Sequence, residues 1–241
     1  MTVLKSAGAA RSASFSSAVV SADRFLPPAG FFNSTDITAI NKLTALTQCM
    51  SVSWCTVTCK LTETHYIISN MLVTGGTVDP MTGNKLDCYT TRPKGIFYHS
   101  PNINITATPG HGVNLVRVIE NLSDGVYAYE VDECFYGLSA VGTEGFVLVD
   151  LKSEYKISYL KFVLQGIGQI QTMFFDIEIR VGNASTSLPY SSYALLGTYT
   201  GPTYTHNIEL TITGVASIVG RYVALVKTTG RYLQICHMEI Y

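Results

Sequence analysis

The chain has 241 residues, 47% hydrophobic and only 14% charged, with sixteen basic against seventeen acidic side chains and a net charge of −1. That hydrophobic fraction supports a packed core and excludes global disorder. With no basic stripe to neutralise phosphates, a nucleic-acid partner is excluded from the expectations, and no run of about eighteen apolar residues offers a transmembrane helix.

Residues 1–34 read as an N-terminal extension, rich in Ala and Ser at first and reaching Pro27-Pro28. Such a composition suits a loosely packed lead-in. Residues 1–24 lack the continuous apolar core of a signal peptide. A secreted form therefore needs either a signal already removed or a longer parent chain.

Residues 36–46 (DITAINKLTAL) put Ile37, Ile40 and Leu43 on one face at helical spacing, with Thr35 or Asp36 placed to cap the start. The spacing predicts a helix here. A cysteine-rich stretch follows, roughly 47–92, punctuated by the turn signals Gly75-Gly76, Asp79-Pro80 and Thr82-Gly83-Asn84.

The second half reads as β structure. In FFDIEIRV (174–181), Phe175, Ile177, Ile179 and Val181 alternate with Asp176, Glu178 and Arg180. Period two sends one face to a core and the other to water. HNIELTI (206–212) repeats the pattern, and GFVLVDL, ISYLKFVL, YALLGTY, RYVALV and LQICHMEI supply further runs. At least seven short strands with no helical period between them predict an antiparallel sandwich. The fold class is mainly β: an antiparallel sandwich behind a small α+β disulfide-rich module.

Six cysteines are compatible with three disulfides. Among Cys49, Cys55, Cys59 and Cys88, three pairings are open and the sequence does not choose between them. Cys134 and Cys236 are expected to pair with each other, the alternative being a bridge from one of them to the first module. Asn-x-Ser/Thr sequons stand at Asn33, Asn104, Asn121 and Asn183. Paired cysteines and sequons together point to the secretory route and an extracellular glycoprotein.

Catalytic signatures are missing. The chain has no His-Glu-x-x-His and no Cys-x-x-Cys, and Gly137-Leu138-Ser139-Ala140-Val141 misses the nucleophile-elbow pattern. Aromatic residues are the better lead. Tyr190, Tyr193, Tyr199 and Tyr204 cluster between strands, and Tyr127 and Tyr129 follow an Asp-Gly pair. Tyrosine offers an apolar face plus a hydroxyl, which suits stacking on sugars or a protein hot spot. The alternative is that these rings cover the edges of the sandwich.

Several segments carry a resemblance when taken in order: NITATPG (104–110), NLSDG (121–125), VLVDLKSEYKISYLKFVL (147–164), FFDIEIRVGN (174–183) and GRYVALVKTTGRYLQICHMEIY (220–241). Residues 98–241 resemble the discoidin and F-type lectin group of galactose-binding-like domains. The resemblance implies an eight-stranded jelly roll with ligand loops at one end. Lectins of that group hold fucose with a His and two Arg, an Asp standing beside the first Arg. The matching positions here are Gly142, Gly166, Gly168 and Met173, so the fucose set is not carried over. The group's calcium site matches Asp124 as a carboxylate ligand and Asn121 as a carbonyl ligand. The Glu expected directly after the last Cys is replaced by His237, a poor ligand for a hard cation. The preferred reading of Asp124-Gly125 is a plain turn. Calcium therefore stays an open cofactor.

In residues 35–97, Cys49-x5-Cys55-x3-Cys59 and Cys88-Tyr89, behind a helix, are similar to a divergent PAN/apple-type module. Modules of that type bind proteins or carbohydrates. The expected function is a secreted, non-enzymatic carbohydrate-binding or adhesion protein with a glycan or extracellular protein as partner. The alternative is a structural assembly protein, for which a homo-oligomer stays open.

Overall fold

The computed structural model describes residues 16–21, 34–53, 55–69, 85–90, 95–96, 102–110, 118–123, 134–164, 173–201 and 209–241. They belong to two compact units, one reaching Arg92 and the other holding Pro93–Tyr241.

The first unit is an antiparallel five-stranded sheet with one helix. Its strands are β1 (Ser16–Ser21), β2 (Ser34–Thr38), β3 (Val57–Lys60), β4 (His65–Ser69) and β5 (Lys85–Thr90), in the order β1-β5-β3-β4-β2. Helix α1 spans Lys42–Ser51, which corrects the expectation of a helix over 36–46. The front part of that stretch is β2, whose Ile37 lies opposite Tyr66 of β4. Neither Thr35 nor Asp36 caps the helix. Asn41 does, its side-chain oxygen accepting from the Thr44 N–H at 3.0 Å. Ile40 and Leu43, read as the buried face, are 84% and 72% exposed, while Ala45 and Cys49 are buried. Pairing with β4 holds 34–38 as an edge strand, and the Cys49–Cys55 disulfide fixes which side of α1 turns inward. A second disulfide, Cys59–Cys88, joins directly opposed positions of β3 and β5.

The second unit is an antiparallel β-sandwich. Its strands are β6 (Asn104–Ala107), β7 (Phe135–Leu138), β8 (Gly145–Val163), β9 (Ile177–Gly182), β10 (Ala194–Tyr199), β11 (Glu209–Lys227), β12 (Tyr232–Ile235) and β13 (His237–Ile240). A 3-10 turn covers Ile119–Leu122. The main sheet runs β10-β9-β11-β8-β13 with β6 also on β8, and β7 pairs β12 as a separate ribbon.

Strands β8 and β11 are nineteen residues each and pair along most of their length. GFVLVDL and ISYLKFVL, read as two strands, are thus the two halves of one. Register shifts between Thr213 and Ile218, and between Gly220 and Tyr222, let the pair bend between its halves. Val147, Val149, Leu151, Leu160 and Phe162 of β8 then share one core with Ile177, Ile179 and Val181 of β9 and with Leu233, Ile235, Met238 and Ile240. The alternation expected for FFDIEIRV holds within β9, where Ile177, Ile179 and Val181 are buried and Glu178 and Arg180 face outward as an ion pair at 2.7 Å, but not before it: Phe174, not Phe175, is buried in the core, because the chain turns at Asp176. Cys134 and Cys236 are bonded to each other and fully buried.

Candidate functional site

Strand register gathers one set of loops at one end of the sandwich. Lys227, the last residue of β11, lies opposite both Gly145, the first of β8, and Ile177, the first of β9. Leu138, the last of β7, lies opposite Tyr232, the first of β12. The connections 139–144, 173–176 and 228–231 therefore emerge side by side. Thr200, just past β10, joins them by accepting from the Asp176 N–H at 3.3 Å.

Two knots of hydrogen bonds fix this end. In the first, the Asp176 carbonyl accepts from the Thr228 N–H at 2.9 Å and from the Thr228 hydroxyl at 3.1 Å. The Thr229 hydroxyl donates to the Asp176 carboxylate. Asp176 sits at φ +51°, a left-handed conformation that Asp tolerates because its short side chain bonds locally. In the second knot, Ser139 N–H donates to the Arg231 carbonyl at 2.9 Å, and Arg231 Nε donates back to the Ser139 carbonyl at 3.1 Å. Gly142 and Gly230 take φ +78° and +75° at the loop turns, where a side chain would be strained.

Beneath the first knot lies Lys227, 1% exposed. Its ammonium donates to the Phe175 carbonyl at 3.0 Å and stands 3.2 Å from the centre of the Phe175 ring. Burial pulls its pKa down to about 8, with the Asp176 charge opposing that shift. Beside the second knot, the rings of Tyr136 and Tyr232 are parallel within 5° at 5.8 Å between centroids, and Tyr232 is 40% exposed. This end thus combines an exposed arginine held by its Nε, an aromatic pair and threonine hydroxyls. These groups can donate to hydroxyls or carboxylates and stack on an apolar face.

Sequence reasoning missed this set, and only Lys227 carried a signal. Tyr232 is exposed only because it opens β12, whose next three residues, Leu233, Gln234 and Ile235, are all buried, so no alternation in RYLQI marks it. Lys227 shares the inward parity of Val223 and Leu225.

Gly142 and Met173, where the lectin group has a His and an Arg, both lie at this end. Gly166 and Gly168 fall outside the described residues, as do Asp124, Tyr127, Tyr129, Tyr204 and Asn33. Tyr190 and Tyr193 are corrected as ligand candidates, because both are buried against Ala224 and Val226 beneath Phe146, Leu148 and Tyr222. The segment after β9 folds back over the outer face of the sheet, and the Tyr193 hydroxyl donates to the Ala184 carbonyl at 2.7 Å. Burial raises the pKa of both phenols. Asn121 is half-buried on the 3-10 turn, and His237 is buried with Nε2 3.7 Å from a Glu239 carboxylate oxygen. Among the described residues, no cluster of three or more His, Cys, Asp or Glu is arranged to hold a metal.

No protein-family model matches the chain, and no curated protein matches it in sequence. Solved structures do match. One is an F-type lectin (fucolectin) from striped bass (Morone saxatilis) serum, 19% identical with a TM-score of 0.52. That match covers 61% of this chain and 48% of the lectin, about half its length. A fucose-binding module of Streptococcus pneumoniae matches at 12% identity and TM-score 0.46, over 62% of this chain and 98% of the module. A chitosan-binding module from a Paenibacillus sp. IK-5 chitosanase/glucanase matches at 16% and 0.44, over 62% and 99%. At these identities the likeness is one of fold: this chain contains a galactose-binding-like β-sandwich.

Proposed function

We propose that the chain is a secreted, non-enzymatic carbohydrate-binding or adhesion protein whose sandwich takes its ligand at the end where 139–144, 173–176 and 228–231 meet. The observation that carries this reading is the Arg231–Ser139 knot beside the parallel Tyr136–Tyr232 pair. A planar donor fixed at the same end as a pair of aromatic rings suits a sugar, which presents hydroxyls on its edge and C–H groups on its face. The ligand is not held by the fucose arrangement of a His and two Arg, since Gly142 and Met173 stand in place of two of those residues. Three disulfides, using all six cysteines, support an oxidising, extracellular setting. In the same reading, residues 35–97 are a PAN/apple-like module and 98–241 the ligand-binding domain.

The test is a glycan array probed with the purified chain, with and without calcium, beside Arg231→Ala and Tyr232→Ala variants. Binding to a defined glycan class, lost in both variants, is the expected result. Silence on every glycan in both buffers, together with a large defined oligomer in native mass measurement, would instead favour an assembly protein.

A further inference from the structure

The sequons are not equivalent once folded, and two of them converge on the end of the sandwich opposite the loops. Asn104 of β6 lies opposite Asp150 of β8, Asp150 opposite Tyr222 of β11, and Tyr222 opposite Gly182 of β9. Asn183 is the next residue along. This transverse row is five positions along β8 and β11 from Gly145 and Lys227, about 17 Å at 3.3–3.4 Å per residue. We propose that Asn104 and Asn183 are the N-glycosylated asparagines of this domain and that Asn121 is not; this rests on the secretory part of the function proposed above.

The local geometry differs at each site. At Asn183, the side-chain oxygen accepts the Arg221 N–H at 3.1 Å. The carbonyl half of the amide is thereby anchored, and the nitrogen that carries a glycan belongs to the other half. Residues 183–187 are all exposed, so the recognition serine, Ser185, and the space around it are open. At Asn104, strand alternation exposes Asn104 and Thr106, while Ile105 and Ala107 pack towards the core. Both members of that sequon face solvent. Asn121 is half-buried, and its neighbour Leu122 is fully buried in the core. A branched oligosaccharide there would have to displace packed side chains.

The modification forms a bond between the asparagine Nδ2 and the anomeric carbon of an oligosaccharide carried on a lipid diphosphate. The bond from that carbon to the diphosphate breaks, the lipid diphosphate leaves, and the amide proton passes to a base of the transferase. Carbohydrate at this end leaves the opposite loops unobstructed.

The chain purified from its native source is treated with a peptide N-glycosidase in ¹⁸O-water and mapped by mass spectrometry. Labelled aspartate at positions 104 and 183, with unlabelled asparagine at 121, is expected. Thr106→Ala and Ser185→Ala should each remove one glycan-sized step of electrophoretic mobility. An unlabelled residue at 104 or 183, or label at 121, overturns the proposal. Mapping without reductant separates its failure from that of the wider reading. Bare asparagines beside intact disulfides refute only the glycan assignment, whereas bare asparagines beside free thiols refute the secretory reading as well.

Discussion

The ammonium of Lys227 lies 3.2 Å from the centre of the Phe175 ring and 3.0 Å from the Phe175 carbonyl oxygen, with almost no solvent contact. These partners do not compensate the lost hydration of a full charge, and the pKa falls to about 8. A lysine with a lowered pKa costs stability while it is charged. The unfolded chain holds that proton up to about pH 10.4, so stability rises with pH between about 8 and 10.4. Lys227→Met removes the charge and with it this dependence. In urea titrations, wild type should gain about 2 kcal/mol on the variant between pH 7 and pH 10. A gap that stays level across that range refutes the placement of the charge.

Asp150 behaves in the opposite sense. Arg221 grips its carboxylate with two bonds, at 2.7 and 2.9 Å, and Lys152 adds its N–H and its ammonium, each at 2.9 Å. The hydrogen bonds from Arg221 are the main reason its pKa lies well below the usual carboxylate range. A depressed carboxylate contributes stability above its unfolded pKa of about 3.9 and loses it as pH falls. Because the Arg221 side chain is more than a third exposed, solvent screening discounts the effect. Asp150→Asn should cost about 1 kcal/mol at neutral pH. The deficit should shrink progressively below about pH 4. A deficit unchanged down to pH 2 would show that packing, not charge, is responsible.

Much of the sandwich was legible because its strands are half-buried, and half-burial writes itself as period two: Ile177, Ile179 and Val181 are inward as their spacing demands. The single long β8 was not legible. Its middle, Lys152–Lys156, is polar and reads as a loop, yet the bend keeps it as a strand on β11, with Tyr155 opposite Gly220. The helix was displaced because Ile37 fits an edge strand as well as a helical face, and only pairing with β4 decides. Tyr190 and Tyr193 looked available for the same kind of reason. Their burial comes from a chain segment folding back onto Ala224 and Val226, a long-range event that no local pattern records. The loop end was legible only at Lys227, which shares the inward parity of Val223 and Leu225; in β12 Gln234 is buried at the same parity as the exposed Tyr232. That Tyr232 meets Tyr136 follows only from the pairing of β7 with β12.

That fold-back sets a sharp demand on Gly182. A Cβ built there would lie 2.1 Å from the Tyr193 ring, closer than any real contact. Tyr193 is held by its bond to the Ala184 carbonyl and by packing against Tyr190, 5.6 Å between ring centroids. Gly182→Ala should therefore destabilise the domain by about 1–3 kcal/mol through overpacking. The double variant Gly182→Ala with Tyr193→Ala should lose less than the sum of the two single variants, because removing the ring removes the clash. Additive losses in chemical denaturation would contradict the contact.

The Cys134–Cys236 bond spans 102 residues of sequence and joins the start of β7 to the chain just before β13. Both cysteines are fully buried. Phe135 and Ile235, the residues flanking them, are cross-strand partners in the β7–β12 ribbon. On the chain-entropy account, closing a loop of that length stabilises the fold by about 4–5 kcal/mol. The same ribbon carries Tyr136 and Tyr232, so the bond also holds the candidate ligand surface together. The double variant Cys134→Ala, Cys236→Ala should lose about that much stability by chemical denaturation. It should also lose protection of the ribbon amides in hydrogen exchange before that of β8 and β11, whose pairing does not involve the disulfide. Ribbon protection that survives the substitution, with stability falling by less than about 1 kcal/mol, would mean that strand pairing alone maintains this surface.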